Sequence, residues 1–72
     1  MNEYQGHRSW NAWNVSLWLF NEESWYRLMI QAKNNFKSER SQVKHVLSNL
    51  PKITPDGGKF NYTTVSLALK EV

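Results

Sequence analysis

Cysteine is absent from this sequence, proline occurs twice, glycine three times and histidine twice. Without thiols there is no disulfide staple and no thiolate metal site. The two histidines, His7 and His45, sit in unrelated local patterns, and a lone pair of that kind does not make a zinc centre. No metal and no cofactor are expected. No mostly apolar segment approaches the roughly 20 residues that span a bilayer. The start, Met1-Asn2-Glu3-Tyr4-Gln5, has neither the basic residues nor the apolar run of an export signal. These absences predict a cytoplasmic protein with no membrane partner.

Catalytic groups are equally scarce. Glu22 and Glu23 are sequence neighbours that point to different sides of a helix start, so they form no acid–base pair. His45 follows Lys44 and has no local carboxylate to orient it, which leaves no nucleophile–base–orienter set. Asp56-Gly57-Gly58 is turn chemistry, lacking the length and lysine of a phosphate loop. A non-enzymatic protein is expected.

A chain of 72 residues makes one domain at most, read here as 1–72 with residues 1–8 a short polar arm. Folding at this length removes only about 60–65% of the unfolded chain's surface from water. Packing must hold such a domain alone or with a second copy, so a homo-oligomer is a live expectation.

What the chain does have is concentrated in Trp10–Ala32, which holds all four tryptophans. Ser9 is placed to cap a first helix. Trp10, Trp13, Leu17 and Phe20 follow helical spacing on one side, with Val15, Trp18 and Leu19 on much of the other. Val15–Phe20 would also suit a strand, but the flanking 3.6-residue spacing favours helix. Asn21 is read as the corner between this helix and a second, with Glu22 and Glu23 in the favourable first turn. Trp25, Leu28, Met29, Ala32 and Phe36 form the next stripe, ended near Lys33-Asn34-Asn35. Ser38 opens a third segment with the stripe Val43, Val46, Leu47 and Leu50, stopped by Pro51. Pro55-Asp56-Gly57 marks a turn or small hairpin flanked by Ile53 and Phe60. Asn61 then caps a last helix with Val65, Ala68, Leu69 and Val72 on one face. The expected fold is an all-α bundle of about four short helices, with a turn or small hairpin before the last.

Charge divides along the chain. Residues 1–32 carry two basic and three acidic side chains, a net of −1; residues 33–72 carry seven basic and three acidic, a net of +4. Lys33, Lys37, Arg40, Lys44, Lys52 and Lys59 are therefore the candidate phosphate contacts for a nucleic-acid partner. Asn61, Thr63 and Thr64, with Tyr62 and Ser66, would give the last helix a donor-rich start. The bland alternative is a solvated lysine face with ordinary capping. For the tryptophans the expected role is core packing. Trp18, off the Trp10/Trp13/Leu17 stripe, and Tyr26 are the candidates for anchoring a protein partner.

Two stretches resemble known families. Tyr4-Gln5-Gly6, followed by Trp13-Asn14-Val15-Ser16-Leu17-Trp18-Leu19-Phe20-Asn21-Glu22, resembles a Y-x-G…T-W-N-V-x-L-W-L-x-N-D/E motif of small phage, plasmid and mobile-element proteins. Here Ala12 replaces the usual threonine and His7 the usual aromatic. That family has no settled activity, so the resemblance implies a genomic context rather than a chemistry. Ile53-Thr54-Pro55-Asp56-Gly57-Gly58-Lys59-Phe60-Asn61 and the following Thr64-Val65 and Ala68-Leu69 are similar to the turn-and-helix pattern of DNA-binding regions in large serine recombinases. No recombinase catalytic domain fits in this length. Together these readings suggest a phage or mobile-element accessory protein that binds nucleic acid through its basic C-terminal half. The alternative is a modulator of a host protein, in anti-defence or host takeover, acting through an exposed aromatic patch.

Overall fold

The computed structural model describes residues 9–72. The arm, with His7 and the Tyr4-Gln5-Gly6 part of the N-terminal motif, lies outside them. The described chain is all-helical, with α1 at Trp10–Asn21, α2 at Glu23–Asn35, α3 at Glu39–Ser48 and α4 at Tyr62–Leu69.

Local chemistry sets each boundary. The Ser9 hydroxyl accepts the Ala12 amide at 3.2 Å and opens α1. The corner falls at Glu22, one residue later than the sequence suggests. Glu22 is extended (φ −90°, ψ 114°), and its amide donates to the Trp18 carbonyl to close α1. Its carboxylate accepts the Ser24 amide and its carbonyl the Tyr26 amide, which opens α2. Asn21 remains helical because its side-chain amide folds back onto the Leu17 carbonyl at 2.6 Å. Asn34 and Asn35 also stay helical. The second break comes at extended Phe36, whose amide donates to Ala32 and whose carbonyl accepts the Gln42 side chain at 2.8 Å.

Ser38 caps α3, and Asn49 with Pro51 ends it. The hairpin expected before α4 is reduced to a single antiparallel bridge between Ile53 and Lys59. Its tip is closed by Thr54 amide to Gly58 carbonyl (2.8 Å) and Gly57 amide to Thr54 carbonyl (2.9 Å). Gly57 takes φ +94°, a value that side chains resist. Asn61 then opens α4 with a reciprocal cap: it accepts the Thr64 amide, and the Thr64 hydroxyl accepts the Asn61 amide.

The helices close into a ring, α1 against α2 and α4, and α3 against the same two. Its interior is mostly aliphatic: Val15, Leu19, Met29, Ala32, Val43, Val46, Val65, Ala68 and Leu69, with Phe60 from the connector. The tryptophans do not form this centre. Trp13, Trp18 and Trp25 are half-buried and Trp10 is 37% exposed. The Trp10/Leu17 side of α1 points outward, and the Ala12/Val15/Leu19 side points in. Indole rings are too large for the middle of a ring this small, so they wall it. Among the described residues no helix is long and apolar enough to cross a membrane.

Candidate functional site

Asn14, on the polar side of α1, is 1% exposed, and a buried amide needs partners. The connector supplies them. The Thr54 hydroxyl donates to Asn14 Oδ1 at 2.5 Å, and Asn14 Nδ2 donates to Asp56 Oδ2 at 3.0 Å. Trp18 Nε1 donates to the same carboxylate oxygen at 2.9 Å. The Thr54 hydroxyl also accepts the Asp56 and Gly58 amides, and the Lys59 amide donates to Asn11 Oδ1. The two stretches with family resemblances thus interlock: the Trp-Asn-Val-x-Leu-Trp run is the socket, and Thr-Pro-Asp-Gly-Gly is the plug. Gly58 is required by contact, since a Cβ there would lie 2.6 Å from Asn14 Oδ1.

The plug carries the clearest titration. Hydrogen bonds from Trp18, and secondarily Asn14, hold the Asp56 carboxyl below its ordinary value of 3.8, against a smaller opposing effect of burial. The folded protein therefore takes up this proton less readily than the unfolded chain. The stabilisation is complete above 3.8 and is lost as pH falls through the lower folded value. Urea midpoints measured from about pH 7 to about pH 2 should drop in that acid window, and Asp56→Asn should flatten the drop. Superimposable acid limbs for the two proteins would remove Asp56 from the latch.

Trp18 has an internal partner, and its ring stacks edge-on against Trp25 at 6.4 Å; Trp25 in turn meets Phe60 at 5.4 Å. Its indole N–H is therefore spent within the chain. Tyr26 is 38% exposed and rests on Phe20 at 5.8 Å. Trp10 and Leu17 are likewise exposed on α1. No residue of α1 carries a formal charge.

Lys33, Lys37, Arg40, Lys44, Lys52 and Lys59 are all exposed. Among the described residues the ion pair is Arg27–Glu23 at 2.6 Å, so none of these six is engaged in one. They do not form the continuous helical stripe their spacing hints at, because Phe36–Ser38 separates α2 from α3. Lys33 lies in the last turn of α2, Lys37 in the corner, Arg40 and Lys44 one turn apart on α3, Lys52 just before the bridge, and Lys59 is one of its two residues. Of the α4 candidates, Asn61 and Thr63 are exposed. Thr64 is 5% exposed with its hydroxyl used in the cap, which takes it out of any surface set.

Tyr62, 44% exposed, donates its hydroxyl to Glu39 at 3.3 Å. Partial desolvation, then the Glu39 carboxylate, raise its phenol above the ordinary range, with Arg40 opposing. Phe36 is 36% exposed and packs against the His45 ring at 5.1 Å; the His45 Nε2 is buried with no hydrogen-bond partner among the described residues. Both side chains thus contact α3, the helix that carries Arg40 and Lys44, and only structure could reveal it: Phe36 reads as a core residue in the sequence.

A depression of about 390 Å³ lies along α2, lined by Ser24, Trp25, Arg27, Leu28, Gln31 and Asn49. Its charged group, Arg27, is already paired with Glu23. Among the described residues no three histidines, aspartates or glutamates gather as metal ligands.

Searches of curated proteins and of solved structures find no match to this chain. A family model described as a family of unknown function, DUF7249, matches residues 1–72. The socket and plug described above both lie inside that match, and the chain belongs to the DUF7249 family.

Proposed function

We propose that the protein is a non-enzymatic accessory protein of a phage or mobile element that binds nucleic acid through its basic second half. The observation that carries this reading is the set of exposed, unpaired cations on the α2–α3 corner, α3 and the connector. A solvated cation that has no carboxylate partner keeps its full charge for a phosphate, and binding is driven by release of counterions. The resemblance of the Trp13–Glu22 run to mobile-element proteins supports the genomic setting, and a cytoplasmic location goes with it.

Duplex binding through about four phosphates should weaken by about a hundredfold as salt rises from about 50 to about 200 mM. Lys44→Ala should lower affinity for every sequence and reduce the salt slope by about one. Absence of any complex at about 50 mM salt would end this reading.

The exposure of the large apolar side chains Trp10, Leu17 and Tyr26 favours a second reading, in which the protein docks on and modulates a host protein. Trp18 contributes less to such a surface, since its indole N–H is already given to Asp56. Capture of a host protein that is lost with Tyr26→Ala and retained with Lys44→Ala would support it. Self-association through the same surface would appear as a dimer mass in light scattering.

A further inference from the structure

We infer that the ligand of the basic surface is single-stranded nucleic acid, with bases stacked on Phe36 and Tyr62; this rests on the nucleic-acid reading above. Both rings are exposed, at 36% and 44%, although each sits where the chain holds it firmly. Phe36 closes α2 through its amide, accepts Gln42 through its carbonyl and leans its ring on His45. Tyr62 is the first residue of α4, behind the Asn61–Thr64 cap, and its hydroxyl is tied to Glu39. A ring already fixed in place loses little freedom when a base stacks on it.

Both side chains meet α3. Gln42 and His45 turn toward Phe36, while Glu39 turns toward Tyr62, as their contacts require. The same helix presents Arg40 and Lys44, both exposed, four residues apart and therefore on one strip of its surface. Lys37 stands at the corner next to Phe36. Exposed aromatic faces against a helix that also carries unpaired cations suit a flexible strand whose bases turn inward while its phosphates meet the cations. A duplex keeps its bases stacked on each other and offers these rings nothing. Glu39 is the carboxylate beside this surface, and the Tyr62 hydroxyl donates to it, which lessens its repulsion of a phosphate.

The test compares a fluorescein-labelled oligothymidylate of about twenty nucleotides with a duplex of the same length, at about 50 mM salt. The oligothymidylate should bind at least about tenfold more tightly than the duplex. Tyr62→Leu and Phe36→Leu should each weaken oligothymidylate binding by about tenfold and leave the duplex affinity unmoved. Tyr62→Phe, which keeps the ring and loses only the Glu39 bond, should weaken oligothymidylate binding clearly less than Tyr62→Leu does. In the unmodified protein, the ring protons of Phe36 and Tyr62 should move upfield on addition of oligothymidylate, a signature independent of any variant's folding. Duplex bound as tightly as the single strand, with unmoved ring protons, would overturn the stacking inference and leave phosphate binding standing. Failure to bind either polymer would overturn both.

Discussion

Leu19→Ala should remove about 3 kcal/mol of stability, whereas Trp10→Ala should change it by less than about 1 kcal/mol. The larger side chain has the smaller effect because of where each points. Leu19 is fully buried in the middle of the helix ring, among Val15, Met29 and Val65. Its truncation loses the transfer free energy of the removed carbons and leaves a cavity that four short helices cannot collapse around. Trp10 opens α1 at its exposed edge and is 37% accessible. A domain of this size has a total stability of only about 5 kcal/mol, so the Leu19 variant should keep about 2 kcal/mol, with a few per cent of its molecules unfolded. Urea or thermal unfolding of the two variants checks the order. A Trp10 variant as damaged as the Leu19 variant would return the indoles to the centre of the fold.

Gly58→Ala is the second large effect, expected at about 2–3 kcal/mol, or a fall in Tm of about 10–20 °C. The added methyl would meet Asn14 Oδ1 at 2.6 Å, and Asn14 is held by Thr54 and Asp56 with nowhere to retreat. Asn14→Ala should be damaging by itself, since it strands the buried Thr54 hydroxyl and removes one donor from Asp56. The two changes together should cost less than their sum, because the smaller side chain vacates the space the new methyl needs. Strict additivity in that double-mutant cycle would mean that the connector does not seat on α1 as described.

The helices themselves were readable from side-chain spacing: Ser9, Ser38 and Asn61 announce their roles as caps, and the Met29/Ala32, Val43/Val46 and Val65/Ala68/Leu69 stripes are the core. What the linear chain concealed was the sense of α1. Its apolar residues surround the helix, so spacing alone does not tell inside from outside. The deciding group was Asn14, whose burial depends on hydrogen bonds to Thr54 and Asp56, forty and forty-two positions away. Long-range pairing of polar atoms leaves no periodicity. The same gap hid the candidate site: Phe36 falls on the α2 stripe, but the chain turns extended at that residue and swings its ring outward. The lysines were legible because exposure is what a lysine does by default; the rings beside them were not.

Glu22 has a consequence for how this protein tolerates changes in length. One residue both terminates α1 and initiates α2, leaving no spare link between them. Inserting a single amino acid there would rotate α2 by about 100° about its axis. Met29 and Ala32 would then swing toward water while Arg27 or Gln31 turned inward. The joint is an elbow without play, so variation in chain length belongs to other parts of the molecule.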